Sequence, residues 1–143
     1  MGMMEAIELF FKNYTNFEGR SRRSEYWWVI LANLIIGLIA GLIIGVIGGG
    51  FGNLNFLGIL LGGVLVLYML AILVPSIALG VRRFHDLDQT GWLVLVFAIV
   101  GLIPLIGFLA VIAQYIWFAM PGTTGPNKYG PDPKSGHDVG VFN

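Results

Sequence analysis

Two uncharged stretches, Trp27 to Gly80 and Trp92 to Met120, decide what this chain can become. Between them lies a charged break, Val81-Arg82-Arg83-Phe84-His85-Asp86-Leu87-Asp88-Gln89-Thr90-Gly91. A chain of 143 residues has too little interior to hide both stretches from water. The composition agrees: 57% apolar and 11% charged, against about 45–50% and about 25% in soluble domains. The reading is an all-α integral membrane protein with three transmembrane helices and a short N-terminal amphipathic helix.

In residues 4–14, Ile7, Phe10, Phe11 and Tyr14 recur at i, i+3, i+4 and i+7, which predicts an amphipathic helix lying along the membrane interface. Ser21 is placed to cap the next helix. Tyr26, Trp27 and Trp28 form an aromatic belt, and the first span is 28–47, about 30 Å long. Four acids, Glu5, Glu8, Glu18 and Glu25, precede the end of that belt, so an uncleaved first span is expected rather than a signal peptide. A glycine-rich loop leads to span two, 56–79, where Pro75 removes a helical hydrogen bond and Ser76 is the local candidate to repair it. Span three is 92–119. As one helix the run to Met120 would reach about 43 Å, so it is expected to tilt or kink at Pro104. A hairpin turning at Gly101–Gly107 is the rival, and it would need its backbone covered. The polar tail, 121–143, is rich in turn formers, and after Lys134 it reads as disordered.

Lys12, Arg20, Arg22, Arg23, Arg82 and Arg83 flank span ends, which predicts a cytoplasmic N-terminus and central loop. Three spans then put the tail outside. Asn33, Gly37, Gly41 and Gly45 share one stripe of span one, and Gly58 and Gly62 repeat the spacing in span two; these are candidate positions for close helix packing inside the monomer, or for a homo-oligomer.

The residues with chemistry gather at the charged junctions. Arg20, Arg22, Arg23, Glu25, Arg82, Arg83, His85 and Asp86 form a candidate cluster, either an ion-pair network or a pocket for an anionic lipid headgroup. Arg22 is the local partner expected for Glu25, and Arg82 for Asp86 at i,i+4. His85, Asp86 and Asp88 offer N and O ligands, but three such groups in one polar loop are cheap by chance, and no metal, catalytic motif or cofactor is predicted. Zero formal net charge argues against nucleic acid, and the absence of cysteine removes thiol chemistry.

Three pieces of the chain resemble the YhaH-like family of small bacterial inner-membrane proteins, a family known as a domain of unknown function. They are Phe17-Glu18-Gly19-Arg20-Ser21-Arg22-Arg23-Ser24-Glu25-Tyr26-Trp27, then Arg82-Arg83-Phe84-His85-Asp86 with Gly91-Trp92, and then Pro121-Gly122 with Gly125-Pro126-Asn127-Lys128-Tyr129-Gly130-Pro131-Asp132-Pro133. Phe84 stands where the family often has Leu, and Lys128 where Arg is common. The resemblance implies a multi-spanning inner-membrane protein and no particular activity. It also implies that the three polar motifs work together, which conflicts with a tail on the far side of the bilayer. The function expected is a non-enzymatic module that binds anionic lipid or a partner membrane protein. A small oligomeric transporter or channel is the alternative, and an enzyme at the headgroup surface ranks third.

Overall fold

The computed structural model describes residues 1–50 and 52–134. Helix α1 is Met3–Lys12, α2 is Arg23–Ile47, α3 is Phe56–Asp86, α4 is Leu93–Gly101 and α5 is Ile106–Ala119. The disorder expected after Lys134 lies outside the described residues.

Helices α2 and α3 are long and apolar enough to cross a membrane, and only 11% and 6% of their apolar windows are buried. A core helix of a soluble protein would be mostly covered. Here Leu38, Leu42 and Val46 on α2, and Leu60, Leu67 and Leu70 on α3, face outward. Lipid is the solvent that makes this surface stable. Both helices run past the predicted span limits into the polar end. Helix α2 starts at Arg23 rather than Trp28, and α3 continues through Arg82 to Asp86. At the opposite end Asn55 stitches the two together. Its side chain accepts from Gly58 N–H at 2.8 Å to cap α3, and donates to Ile47 O, the last carbonyl of α2, at 3.1 Å.

The third apolar run is not one helix. It breaks after Gly101, turns through Leu102–Leu105, and returns as α5 packed on α4. Neither arm reaches across a hydrocarbon core: nine residues give about 14 Å and fourteen about 21 Å, against about 30 Å. The turn meets the backbone demand of an apolar environment by bonding to itself. Leu102 and Ile103 N–H donate to Ile99 and Val100 carbonyls, and Gly107 N–H donates to Ile103 O at 2.6 Å. Pro104 supplies a residue with no N–H to satisfy.

Pro75 leaves Ala71 O without its helical donor. The Tyr14 hydroxyl, at the end of α1, donates to that carbonyl. The repair thus comes from another element rather than from Ser76, and it pins α1 to α3. Helix α1 buries Ala6 and Phe10 in one apolar cluster with Tyr26, Val29, Leu79, Phe84 and Phe118, and leaves Met4 and Phe11 exposed. It therefore packs on the protein with one face and keeps a second apolar face outward.

Part of the small-residue pattern lies off the packing seam within the monomer. A Cβ at Gly37, Gly41 or Gly62 would meet nothing within 4 Å, and Gly45 is half-buried. Close approach does occur at Gly58, one of the candidate packing positions, whose Cβ would lie 2.9 Å from Gly48 Cα. Asn33 does bridge the two long helices, accepting from Tyr68 OH at 2.7 Å. Gly37→Ala and Gly41→Ala are expected to raise stability in detergent by about 0.5–1 kcal/mol each, because helical glycine is entropically unfavourable and space is free. A loss of stability or of oligomer in crosslinking would show a second copy on this face.

Candidate functional site

The polar end is a cap built by α1, the 13–22 loop, the ends of α2, α3 and α5, and the returning tail. The physical problem it solves is the end of α3. The last carbonyls of a helix have no intrahelical donors. Here Asn127 Nδ2 donates to His85 O at 2.9 Å and Thr123 N–H to Asp86 O at 2.7 Å, while one turn earlier Ser21 N–H adds a bond to Arg82 O at 3.1 Å. The end of α5 is closed by cations, which its negative dipole end favours. Arg83 donates to Phe118 O at 3.2 and 3.0 Å and to Met120 O, while Arg23 donates to Ala119 O at 3.0 Å.

Asp86 sits at the centre, 2% exposed. It pairs with Arg83, three residues earlier, and with Arg20, whose Nη2 lies 2.9 Å from Oδ1. Arg20 also donates to Gly125 O at 2.7 Å and to Thr123 O. Arg82 takes a separate route. It donates to Ser21 Oγ at 2.9 Å, to the Asn13 and Asn16 carbonyls at 3.2 and 2.6 Å, and lies 3.5 Å from Glu25. Three expectations are corrected here. Arg82 pairs with Glu25 rather than Asp86, because helical geometry turns it toward α2. Glu25 bonds Arg82 rather than Arg22. Ser21 does not cap α2: the N-cap is Arg22, with no side-chain bond, and the Ser21 hydroxyl is held by Arg82.

The cluster is thus brought together, and most of its donors are internally satisfied. Arg20, Arg82 and Arg83 are held by carbonyls and carboxylates, the geometry of a clasp. Arg22 differs. Its Nε and Nη1 are buried with no hydrogen-bond partner, and so is Ser24 Oγ, two residues on. Arg22 lines a cavity of about 230 Å³ together with Arg20, Arg82, Glu18 and Glu25. In the hydrogen-bonded core, three guanidinium groups face two carboxylates, and Arg22 adds further positive charge beside them.

His85 occupies the other flank. Its Nδ1 lies 3.0 Å from Gly19 O, and its ring stacks on Tyr129 with centroids 4.0 Å apart and planes within 5°. The tail residues Thr123, Asn127 and Tyr129 are cap components that the candidate cluster omitted; the third polar motif was their sequence signal. The tail folds on itself as well. Asp132 accepts from the Lys134 and Gly125 N–H groups, both at 3.0 Å, and these bonds hold its carboxyl below the ordinary value of 3.8. That support is complete above the ordinary value and is lost as pH falls below it. Among the described residues, no group of three His, Cys, Asp or Glu side chains is placed to hold a metal ion. Asp86 is occupied by arginines and Asp88 is exposed.

Residues 14–131 match the family described as "Protein of unknown function (DUF805)". The chain is 40% identical to the inner membrane protein YhaI of Escherichia coli (strain K12) over 126 residues, which covers 87% of this chain and 92% of that protein. It is 39% identical to the inner membrane protein YhaH of the same organism over 127 residues, covering 86% and 91%. No solved structure matches it. The matched region begins at Tyr14, which repairs the Pro75 gap, and ends just past the tail loop that closes on Arg20, so the cap lies almost wholly within it: the chain belongs to the DUF805 family.

Proposed function

We propose that the protein is a non-enzymatic module of the bacterial inner membrane that holds an anionic headgroup at its cap, with Arg22 as the contacting residue. Two long helices cross the bilayer and the α4–α5 hairpin dips into it from the cap side. The concentration of arginines there supports a cap, with the N-terminus and tail, at the cytoplasmic surface. The observation that carries the reading is the pair of buried, unpartnered guanidinium nitrogens on Arg22. Buried donors without acceptors are costly, and a phosphate oxygen is the acceptor a guanidinium fits best. Excess positive charge beside it favours an anion, while Glu18 and Glu25 on the same cavity wall limit how many charges it accepts.

The test is lipid retention. Protein in nanodiscs of mixed phosphatidylcholine and phosphatidylglycerol is extracted in mild detergent, and bound lipid is counted by native mass spectrometry. Wild type is expected to retain phosphatidylglycerol, and Arg22→Gln to lose it about tenfold, the effect of about 1.4 kcal/mol from one charge-assisted bond. Displacement by millimolar inorganic phosphate would make the ligand a free anion instead. Equal retention by Arg22→Gln and wild type would sink the reading.

A further inference from the structure

The His85 flank carries a second cavity that neither the clasp nor Arg22 uses. It has a volume of about 490 Å³, in the range of small-molecule sites, and is walled mainly by apolar side chains of α3, α4 and the loop between them. Val81 forms the inner wall. Leu95 and Trp92 form the rim, 44% and 71% exposed, on the surface that faces lipid. A tryptophan on such a rim marks the height of the headgroup boundary.

One polar group is aimed with care. A carbonyl can only accept, so the 3.0 Å contact with Gly19 O assigns the His85 proton to Nδ1. In the neutral ring Nε2 is then a bare acceptor. It lies at the wall made by Gly91, where a Cβ would come 3.1 Å from Nε2 and 2.5 Å from Val81 Cγ1. Glycine keeps that wall thin. Tyr129 stacks on the imidazole and fixes its plane. The result is a fixed lone pair in an apolar chamber that opens sideways to lipid.

We propose that this chamber binds a neutral lipid headed by a hydroxyl group, such as a long-chain or isoprenoid alcohol, with the hydroxyl donating to His85 Nε2 and the chain lying along Val81 and Leu95. The charge pattern selects this class. A lone pair in low dielectric repels an anion. A charged head of either sign would lose its hydration against the apolar walls, and Lys128, beside the cavity with its Nζ 5.1 Å from the centre of the Tyr129 ring, disfavours a cation further. A neutral donor meets neither penalty, and the apolar walls accept its chain.

The proposal is independent of Arg22 and is tested separately. Full-length protein in phosphatidylcholine nanodiscs is irradiated with a diazirine-bearing hexadecanol or with its methyl ether, and labelled peptides are mapped by mass spectrometry. The alcohol is expected to label the Trp92–Leu95 segment about fivefold more than the ether, the effect of one neutral hydrogen bond. His85→Phe keeps a stacking ring but removes the acceptor, and should bring that ratio to one. Leu95→Trp, on the rim and away from every cap bond, should abolish labelling by both probes. Arg22→Gln should change neither. A ratio of one in wild type, or a ratio unchanged in His85→Phe, overturns the proposal. Should His85→Phe fail to fold, undiminished labelling of Leu95→Trp overturns it. Displacement of the alcohol by phosphatidylglycerol would also overturn it, in favour of an anionic ligand.

Discussion

Asp86→Ala is expected to destabilise the protein by about 3–5 kcal/mol, the penalty for leaving a buried charge without its partner. Arg83 is 0% exposed and the Arg20 side chain 1%. Both lose their carboxylate, and neither can turn to water without dragging the carbonyls of Phe118, Met120, Thr123 or Gly125 with it. Gly122→Ala should reproduce much of the effect without touching a charge. Its Cβ would overlap the Asp86 carboxylate, so either the tail or the carboxylate must move. Asp88→Asn is the control. Asp88 is exposed with φ of 58°, a conformation that asparagine also tolerates, and the change should stay within about 0.5 kcal/mol. Unfolding midpoints in mild detergent measure all three. A shift below about 1 kcal/mol for Asp86→Ala would mean that the clasp does not hold the cap.

Gly107→Ala is expected to open the α4–α5 hairpin. The new Cβ would overlap the Gly101 carbonyl and lie 2.7 Å from its carbon and 3.1 Å from its Cα. These are backbone atoms that cannot rotate away, so the penalty should reach about 3 kcal/mol, the upper end of overpacking effects. The neighbouring turn is already strained: Leu105 has φ of 67°, unfavourable for a branched side chain. Leu105→Gly should therefore recover about 1 kcal/mol, both alone and beside Gly107→Ala. The readout is the side of the membrane reached by the tail. The chain has no cysteine, so single cysteines at Lys12 and Thr124 report cleanly. In wild type both should react with an impermeant maleimide from the same side. In Gly107→Ala the Thr124 position should lose that access as the run straightens across the bilayer. Opposite sides in wild type would restore a single long third span.

The long helices were legible because lipid thickness and side-chain hydrophobicity impose a rule that acts residue by residue. The gathering of Arg20, Arg82, Arg83 and Asp86 was legible as well, since antiparallel neighbours bring their polar ends together. Individual pairings were not. Whether Arg82 meets Asp86 or Glu25 depends on the rotation of α3 against α2, which spacing along one helix does not contain. The hairpin was missed as first choice for a similar reason. Pro104 is compatible with a kink and with a turn. The distinction lies in Gly107 packing on Gly101 and in the tail's bonds to Asp86 and His85, contacts between residues far apart in sequence. The resemblance of three separate polar motifs was the better guide to that closure than the hydropathy of the run itself. The Tyr14 bond to Ala71 had no sequence signal beyond the proline that created the need.

The clasp also sets an order of events during synthesis. Arg20 leaves the ribosome early, yet its acceptors at Thr123 and Gly125 are made more than a hundred positions later. Arg83 likewise waits for Phe118 and Met120. Until the hairpin and tail are made, Asp86 is the partner that these guanidinium groups can already reach, and their carbonyl acceptors are still missing. The cap is therefore the last part of the molecule to assemble, and its closure waits on the whole chain.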